Sequence, residues 1–186
     1  MKLVVTEFVT LDGVFQDPGG GETFDRGGWA FRFDRGEEGD RFKLDELTAA
    51  DAQLLGRKTY EGFAAAWPSM TDEQGFAEKM NSMPKYVVSS TLRDPEWNNT
   101  TVIGLEDVAK LREQPGGDLL VAGSGELVQA LLERGLVDEL HLMVFPIVLG
   151  AGRRLLGDTE AAIPLEPVET TPAGQTTIMV LRRRNS

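Results

Sequence analysis

The sequence predicts an α/β fold with three layers, in which helices cover both faces of a mostly parallel central sheet and an antiparallel hairpin forms its C-terminal edge. Three observations predict it. Short runs rich in Val, Leu and Thr alternate with longer segments whose apolar residues have helical spacing. Two of these runs pass directly into a helix at a glycine. The tail holds two alternating runs around Ala173-Gly174, which is typical of a hairpin.

The first half of the chain supplies the elements up to the third strand. Residues 2–15, rich in Val, Thr and Phe, predict a strand that is interrupted at Asp12-Gly13. A long glycine-rich loop follows, and loops of this length are usually functional or mobile. The pattern then predicts a helix at 35–50, a strand at 52–56, helices at 57–66 and 76–83, and a strand at 85–90.

The second half continues the alternation and ends in the hairpin. It predicts a strand at 100–103, a helix at 106–113, a strand at 118–122, a helix at 126–134 and a long strand at 137–148. Strands that alternate with helices predict parallel pairs joined by crossovers. We expect a single domain over residues 1–186, because this length suits one domain and no internal repeat or linker interrupts it.

The composition excludes several classes of protein. The chain of 186 residues has 19 Lys and Arg against 30 Asp and Glu, a net charge of −11, which argues against a nucleic-acid or anionic-membrane surface. It has no Cys and only one His, His141, so we expect no metal site and no disulfide. The apolar stretch at 3–9 is too short for a signal sequence, and we expect a cytoplasmic protein.

Three strand ends carry the candidate binding residues, because parallel α/β sheets bind ligands at the carboxyl ends of their strands. Gly56-Arg57-Lys58-Thr59 places two cations at a helix start, where they are unfavourable without an anion. Ser89-Ser90 ends a strand with hydroxyls. Ala122-Gly123-Ser124-Gly125-Glu126-Leu127 enters a helix through two glycines, which lets a phosphate approach backbone N–H groups. Each motif also has a plain structural interpretation: a solvated helix start, a strand-ending turn and a tight packing turn.

Taken together, the three motifs match the groups of a 2′-phosphorylated dinucleotide, which favours NADP over NAD. The match is incomplete, because Val128 replaces the third glycine of the dinucleotide fingerprint and Glu126 has the wrong charge for a phosphate. Two further residues are candidates for the reaction itself. Asp12, after the first strand, is either a catalytic acid or part of an Asp-Gly turn. Trp29 either stacks on a flat substrate or anchors its loop.

The order of these motifs resembles the dihydrofolate reductase-like fold. It resembles more closely the reductase domain of bacterial riboflavin biosynthesis and its stand-alone relatives. The matching motifs extend over about residues 3–156 and include Thr10-Leu11-Asp12-Gly13 and Pro146-Ile147-Val148-Leu149-Gly150. The resemblance implies NADPH binding, hydride transfer to a small heterocyclic or sugar-phosphate substrate such as 5-amino-6-(5-phosphoribosylamino)uracil, and a homodimer.

The resemblance also implies roles for single residues. Arg57, Lys58 and Ser90 would contact the 2′-phosphate, Thr59 would lie near the pyrophosphate, and the turn from Gly123 to Leu127 would bind the pyrophosphate. Two alternatives stay open: a non-catalytic nucleotide- or flavin-binding domain, and a dihydrofolate or pterin reductase. Pterin enzymes place a carboxylate on the first helix. The sequence singles out none of the acids there, which are Asp34, Glu37, Glu38, Asp40, Asp45 and Glu46.

Overall fold

The computed structural model describes residues 1–157, 159 and 161–184, and within them the chain forms eight strands and five α-helices. The strands are β1 (Lys2–Thr10), β2 (Ala50–Gly56), β3 (Lys85–Val88), β4 (Thr100–Ile103), β5 (Asp118–Ala122), β6 (Glu139–Phe145), β7 (Leu165–Ala173) and β8 (Thr176–Arg183). The helices are α1 (Gly36–Ala49), α2 (Arg57–Ala66), α3 (Phe76–Ser82), α4 (Val108–Arg112) and α5 (Gly125–Glu133).

All eight strands belong to one sheet, in the order β4-β3-β2-β5-β1-β6-β8-β7. The pairs from β4 to β6 are parallel, whereas β8 pairs antiparallel with both β6 and β7. This arrangement confirms the predicted parallel sheet with an antiparallel C-terminal hairpin. The register places Thr6 of β1 between Ala122 of β5 and His141 of β6, so Glu7 follows just beyond the carboxyl end of β5, while β1 and β6 continue to Thr10 and Phe145.

Alternation along β1 separates the two faces of the sheet. Leu3 and Val5 pack in a core that includes Leu131 of α5. Val4 packs in a second core that includes Leu47 of α1 and residues of α2 and α3. Because successive side chains of a strand point to opposite faces, α4 and α5 cover one face and α1 to α3 cover the other. These are the three predicted layers, and they place Glu7 on the same face as Leu3 and Val5.

Three predicted strands are shorter in the structure, and one of them, β3, ends at Val88 instead of residue 90. The first strand ends at Thr10 instead of residue 15, because a turn closes with the Gly13 N–H donating to the Thr10 carbonyl. Val14 then forms an isolated antiparallel bridge with Arg154. The strand predicted at 137–148 ends at Phe145, since Pro146 has no N–H to continue the ladder. The changes at Thr10 and Phe145 both fold the chain back toward the carboxyl edge of the sheet.

Candidate active site

A cleft of about 1710 Å³ lies at the carboxyl ends of the central strands. Its lining includes Glu7 of β1, Gly56 of β2, Val88 of β3 and Ala122 of β5. The chain leaves β1 toward β2 and leaves β5 toward β6, so the two connections run in opposite directions across the sheet. Such a reversal leaves a crevice at the strand ends, which is where open α/β sheets bind ligands.

One side of the cleft is formed by the starts of α2 and α5, residues 56–59 and 123–127, which we call the helix-start rim. Ser124 joins the two helices. Its Oγ accepts a hydrogen bond from the Gly56 N–H at 2.8 Å and donates to Thr59 Oγ1 at 2.7 Å. Ser124 caps no N–H of its own helix, and α2 also has no side-chain cap. The first-turn N–H groups of both helices are therefore left to a ligand or to water.

Two glycines allow this close approach of the helix starts. A Cβ on Gly123, whose φ is +74°, would lie 2.9 Å from Thr59 Cγ2. A Cβ on Gly56 would lie 2.7 Å from Ser124 Oγ. Both distances are too short for a real side chain. The surface at this turn is therefore made of backbone N–H groups with the partial positive charge of a helix start, and these residues fit a diphosphate.

Cationic and hydroxyl side chains continue the rim outward. Arg57 and Lys58 are exposed and line the cleft, and Arg57 Nη1 also pairs with Glu61 Oε1 at 3.0 Å on the same helix. Ser90 is exposed and lines the cleft, whereas the Ser89 hydroxyl accepts hydrogen bonds from the next turn of backbone. These groups can meet a second phosphate beside the diphosphate position.

Behind the rim, four buried or half-buried polar residues form what we call the cleft floor: Thr6, Glu7, Lys43 and Glu46. Lys43 Nζ lies 2.7 Å from Glu46 Oε2 and donates to Thr6 Oγ1 at 2.5 Å. Glu46 also accepts from Thr6 Oγ1 at 2.9 Å and pairs with His141 Nδ1 at 2.7 Å. Burial favours the neutral form of Glu46, but Lys43 and His141 outweigh it and lower its pKa, so Glu46 is a carboxylate.

Glu7 is the opposite case within the cleft floor, and its side chain lies on the other face of β1 from that of Thr6. Its side chain is buried, with 7% of the residue exposed, and its Oε1 has no hydrogen-bond partner within the described part of the chain. Burial raises the pKa of Glu7 to about 8, although the Lys43 ammonium and the Gly123 N–H both favour the carboxylate. Glu7 is therefore mostly a neutral carboxylic acid at pH 7 and can donate a proton.

The sequence matches the family described as the RibD C-terminal domain over residues 1–179. The chain belongs to this family. Two proteins of Bacillus subtilis (strain 168) are similar to this RibD C-terminal domain along nearly their whole length. Uncharacterized protein YyaP is 30% identical over 175 residues, covering 91% of this chain and 87% of YyaP. Uncharacterized protein YwjB is 26% identical over 174 residues, covering 94% and 93%.

Solved structures confirm the dihydrofolate reductase-like fold. A Shewanella sp. PV-4 protein named for riboflavin biosynthesis superposes with a TM-score of 0.77 at 20% identity, covering 100% of both chains. Dihydrofolate reductase from Enterococcus faecalis, complexed with NADP(H) and RAB-propyl, superposes with a TM-score of 0.64 at 13% identity, covering 99% of this chain and 97% of the enzyme. At these identities the likeness concerns the fold.

In the structure Asp12 is part of a turn, the second of the two roles that the sequence allowed. Asp12 accepts hydrogen bonds from the N–H groups of Leu149 and Gly150, at 3.1 and 2.8 Å, and from Thr10 Oγ1 at 2.6 Å. It is not among the residues that line the cleft. The hydrogen bond from Thr10 contributes most to lowering the pKa of Asp12 to about 2. A carboxylate held in this way fastens the turn after β1 to the segment after β6 and is a poor proton donor.

The structure also places Trp29, the second candidate for the reaction. This side chain is fully buried and packs edge-on against Phe145, with ring centroids 5.2 Å apart. Its Nε1 donates to the Gln16 carbonyl at 2.8 Å. Trp29 therefore anchors the glycine-rich loop over the sheet, which is the second interpretation that the sequence allowed. Other aromatic rings, those of Phe8, Phe15 and Phe31, line the cleft.

Among the acids of the first helix, the structure places Asp40 and Glu46 at the cleft. The sequence interpretation missed Glu7 and Lys43, the two other charged residues of the cleft floor. A signal for Glu7 was present in the sequence. It shares one face of the first strand with Leu3, Val5 and Val9, which are all apolar. A charged residue in such a position is costly unless it is partnered, neutral or functional.

Within the described ranges, no group of three or more His, Asp or Glu side chains is arranged to hold a metal ion. In the same part of the chain, none of the helices combines the length and the apolar character required to cross a lipid bilayer.

Proposed function

We propose that this RibD C-terminal domain is an NADPH-dependent reductase of a small heterocyclic or sugar-phosphate substrate. The observation that carries the proposal is the helix-start rim, where Ser124 holds two uncapped helix N-termini side by side at the carboxyl edge of the sheet. Two helix starts in one place form a binding site for a diphosphate. NADPH, when bound, supplies the hydride.

The flanking side chains favour NADPH over NADH. The N–H groups of 123–127 would hold the pyrophosphate, and Thr59 would contribute its hydroxyl. Arg57, Lys58 and Ser90 bind the 2′-phosphate that distinguishes the two cofactors. Arg57 and Lys58 concentrate positive charge at the rim of a protein whose net charge is −11, which is the local placement that an anionic ligand requires.

The relatives support the same activity and suggest the class of substrate. The similar Enterococcus faecalis enzyme is complexed with NADP(H), and the similar Shewanella protein is named for riboflavin biosynthesis. A substrate like 5-amino-6-(5-phosphoribosylamino)uracil suits the cleft, because Phe8, Phe15 and Phe31 offer faces for a flat ring and Lys43 offers a cation.

We propose further that the whole chain works as one reductase domain, as a cytoplasmic homodimer without nucleic-acid or membrane partners. The single sheet that contains both β1 and β8 supports the first part. The family resemblance supports the dimer, and a light-scattering mass of a monomer would refute it.

Cofactor titrations test the proposed activity. Trp67 lines the cleft, so its fluorescence reports on a bound nicotinamide cofactor. We expect saturable binding of NADPH and weaker binding of NADH. Arg57→Ala should weaken NADPH binding about tenfold, the loss of one charge-assisted contact, and leave NADH binding unchanged. The control is Arg134→Ala, which removes an exposed arginine at the far end of α5.

Binding of NADPH only in the millimolar range would refute the proposal. The oxidation of NADPH with 5-amino-6-(5-phosphoribosylamino)uracil or dihydrofolate then separates the alternatives. Turnover of dihydrofolate alone favours a pterin reductase. Tight NADPH binding without turnover of either compound favours a non-catalytic nucleotide-binding domain.

A further inference from the structure

Glu7 stands out among the buried ionisable groups because hydrogen bonds do not explain its place. Asp17 also has a buried oxygen without a partner, Oδ2, but its Oδ1 accepts from the Glu22 N–H at 3.0 Å. Lys85 is fully buried too, but its ammonium donates to the carbonyls of Asn81, Met83 and Asn98. Glu46 is paired with Lys43. Glu7 has a buried Oε1 without a partner and lies in the wall of the cleft. A buried polar atom left without a hydrogen bond is unfavourable, and a functional role would explain why it is kept.

We infer that Glu7 is the acid that gives a proton to the substrate as the cofactor gives it a hydride. The inference rests on the proposed reductase function and adds to it the proton donor and the class of bond that is reduced. A polarised C=N or C=O bond requires both a hydride at carbon and a proton at the heteroatom, and the cleft has to supply the second.

The position of Glu7 suits this role. It is the residue that follows Thr6 in β1, and Thr6 is paired in register with Ala122, so Glu7 lies beside the Gly123 turn that we assign to the cofactor. The Gly123 N–H is close enough to act on the Glu7 carboxyl. Phe15 and Leu127 line the cleft with it, and apolar neighbours of this kind keep an acid neutral.

The step balances without any further reactant. The hydride passes from NADPH to the carbon of the C=N or C=O bond, and the bond's π electron pair moves to nitrogen or oxygen. That atom takes the proton from Glu7, leaving a single bond, NADP⁺ and a Glu7 carboxylate. The Lys43 ammonium stabilises the carboxylate, and a proton from water restores the acid before the next turnover.

The charged surroundings determine the pH at which the acid is lost. Lys43 on α1 favours the carboxylate, but it is already neutralised by Glu46 at 2.7 Å. The other charged side chains that line the cleft are Asp17, Glu22, Arg35, Asp40, Arg57, Lys58, Asp72, Glu106, Glu126 and Arg153. With burial as the largest influence, the proton leaves Glu7 only near pH 8.

Infrared difference spectroscopy of the whole protein tests the inference without any substrate. Spectra between about pH 6 and about pH 10 should show the C=O stretch of a protonated carboxylic acid that disappears with a midpoint near 8. The band should be absent in Glu7→Gln and present in Glu133→Gln, which changes an exposed glutamate on α5. The absence of this band from the wild-type spectrum at pH 7 would overturn the inference.

Kinetics provide the second readout, with NADPH oxidation by the two compounds named above. Glu7→Gln should keep NADPH binding and lower kcat about 100-fold, and the wild-type rate should fall tenfold per pH unit above pH 8. Glu7→Asp keeps the carboxylic acid on a side chain that is shorter by one methylene group. This variant should show the same pH dependence as the wild type with a lower kcat. Full turnover by Glu7→Gln would overturn the inference. Failure of NADPH binding by the wild type would instead overturn the proposed function, on which the inference depends.

Discussion

The two sides of the cleft handle charge in opposite ways. The helix-start rim exposes its cations to solvent and presents uncapped backbone N–H groups, which need no ionised side chain to meet an anion. The cleft floor buries its charges, and Glu46 has only 4% of its side chain exposed. Exposed pairs such as Arg57–Glu61 add little to stability, whereas breaking a buried pair is costly. Changes at the rim should therefore alter ligand binding, and changes at the floor should alter stability and protonation.

The floor itself contains a second contrast, between Glu7 and Glu46. Both are buried glutamates whose carboxylate form is favoured by the charge of Lys43, yet the pKa of one is raised and that of the other is lowered. The nearby cationic groups account for the difference, since the Lys43 ammonium lies 2.7 Å from Glu46 and His141 also pairs with it, and together they outweigh burial. Two carboxyl groups with pKa values moved apart are typical of sites that use one as an acid and the other as a fixed charge.

The largest expected effect is on the pH dependence of stability. Because the folded pKa of Glu7 is raised from 4.5 to about 8, its protonated form is favoured by folding. The stability it contributes is complete below about pH 4.5 and is lost as the pH rises through 8. The free energy of unfolding of the wild type should fall, relative to Glu7→Gln, by about 1.4 kcal/mol per pH unit in this window. Urea titrations at a series of pH values measure the difference, and parallel curves would show that Glu7 is ionised in the folded protein.

The next largest effect concerns Glu46, because neutralising it leaves the Lys43 ammonium without its partner. Glu46→Gln leaves the half-buried Lys43 without its counter-ion and should cost about 3 kcal/mol of unfolding free energy. The matched control is Asp45→Asn, which neutralises the exposed neighbouring acid on the same helix and should cost little. The same Glu46→Gln change should lower the pKa of Glu7, because Lys43 is then free to stabilise its carboxylate. If Glu46→Gln leaves both the urea midpoint and the m-value unchanged, Lys43 and Glu46 do not form a stabilising buried ion pair.

The elements that local signals define could be predicted from the sequence. The helix at 57–66 and the strands at 100–103 and 118–122 have the predicted bounds, because glycines, a proline and hydrophobic periodicity mark them. The rim residues follow from the same signals, as each motif ends a strand. The floor does not, because Glu7, Lys43 and Glu46 come from two distant segments and only the folded sheet brings them together. For Asp12 the motif was clear in the sequence, but its role was not. Its hydrogen-bond partners, the N–H groups of Leu149 and Gly150, are distant in the sequence.

The smallest effect concerns Ser124, and it separates binding from stability at the rim. Ser124→Ala removes the hydrogen bonds to Gly56 and Thr59 and should cost about 1 kcal/mol in a urea titration. Ser124→Gly loses the same bonds, but glycine tolerates the φ of 72° there and regains about 1 kcal/mol. The glycine variant should therefore be as stable as the wild type while its α2 and α5 N-termini are no longer tied together. We expect the glycine variant to bind NADPH more weakly, because the two helix starts act as one site only while Ser124 joins them. If the variant binds NADPH as tightly as the wild type, the backbone of the turn is sufficient and the Ser124 side chain is not needed to position it.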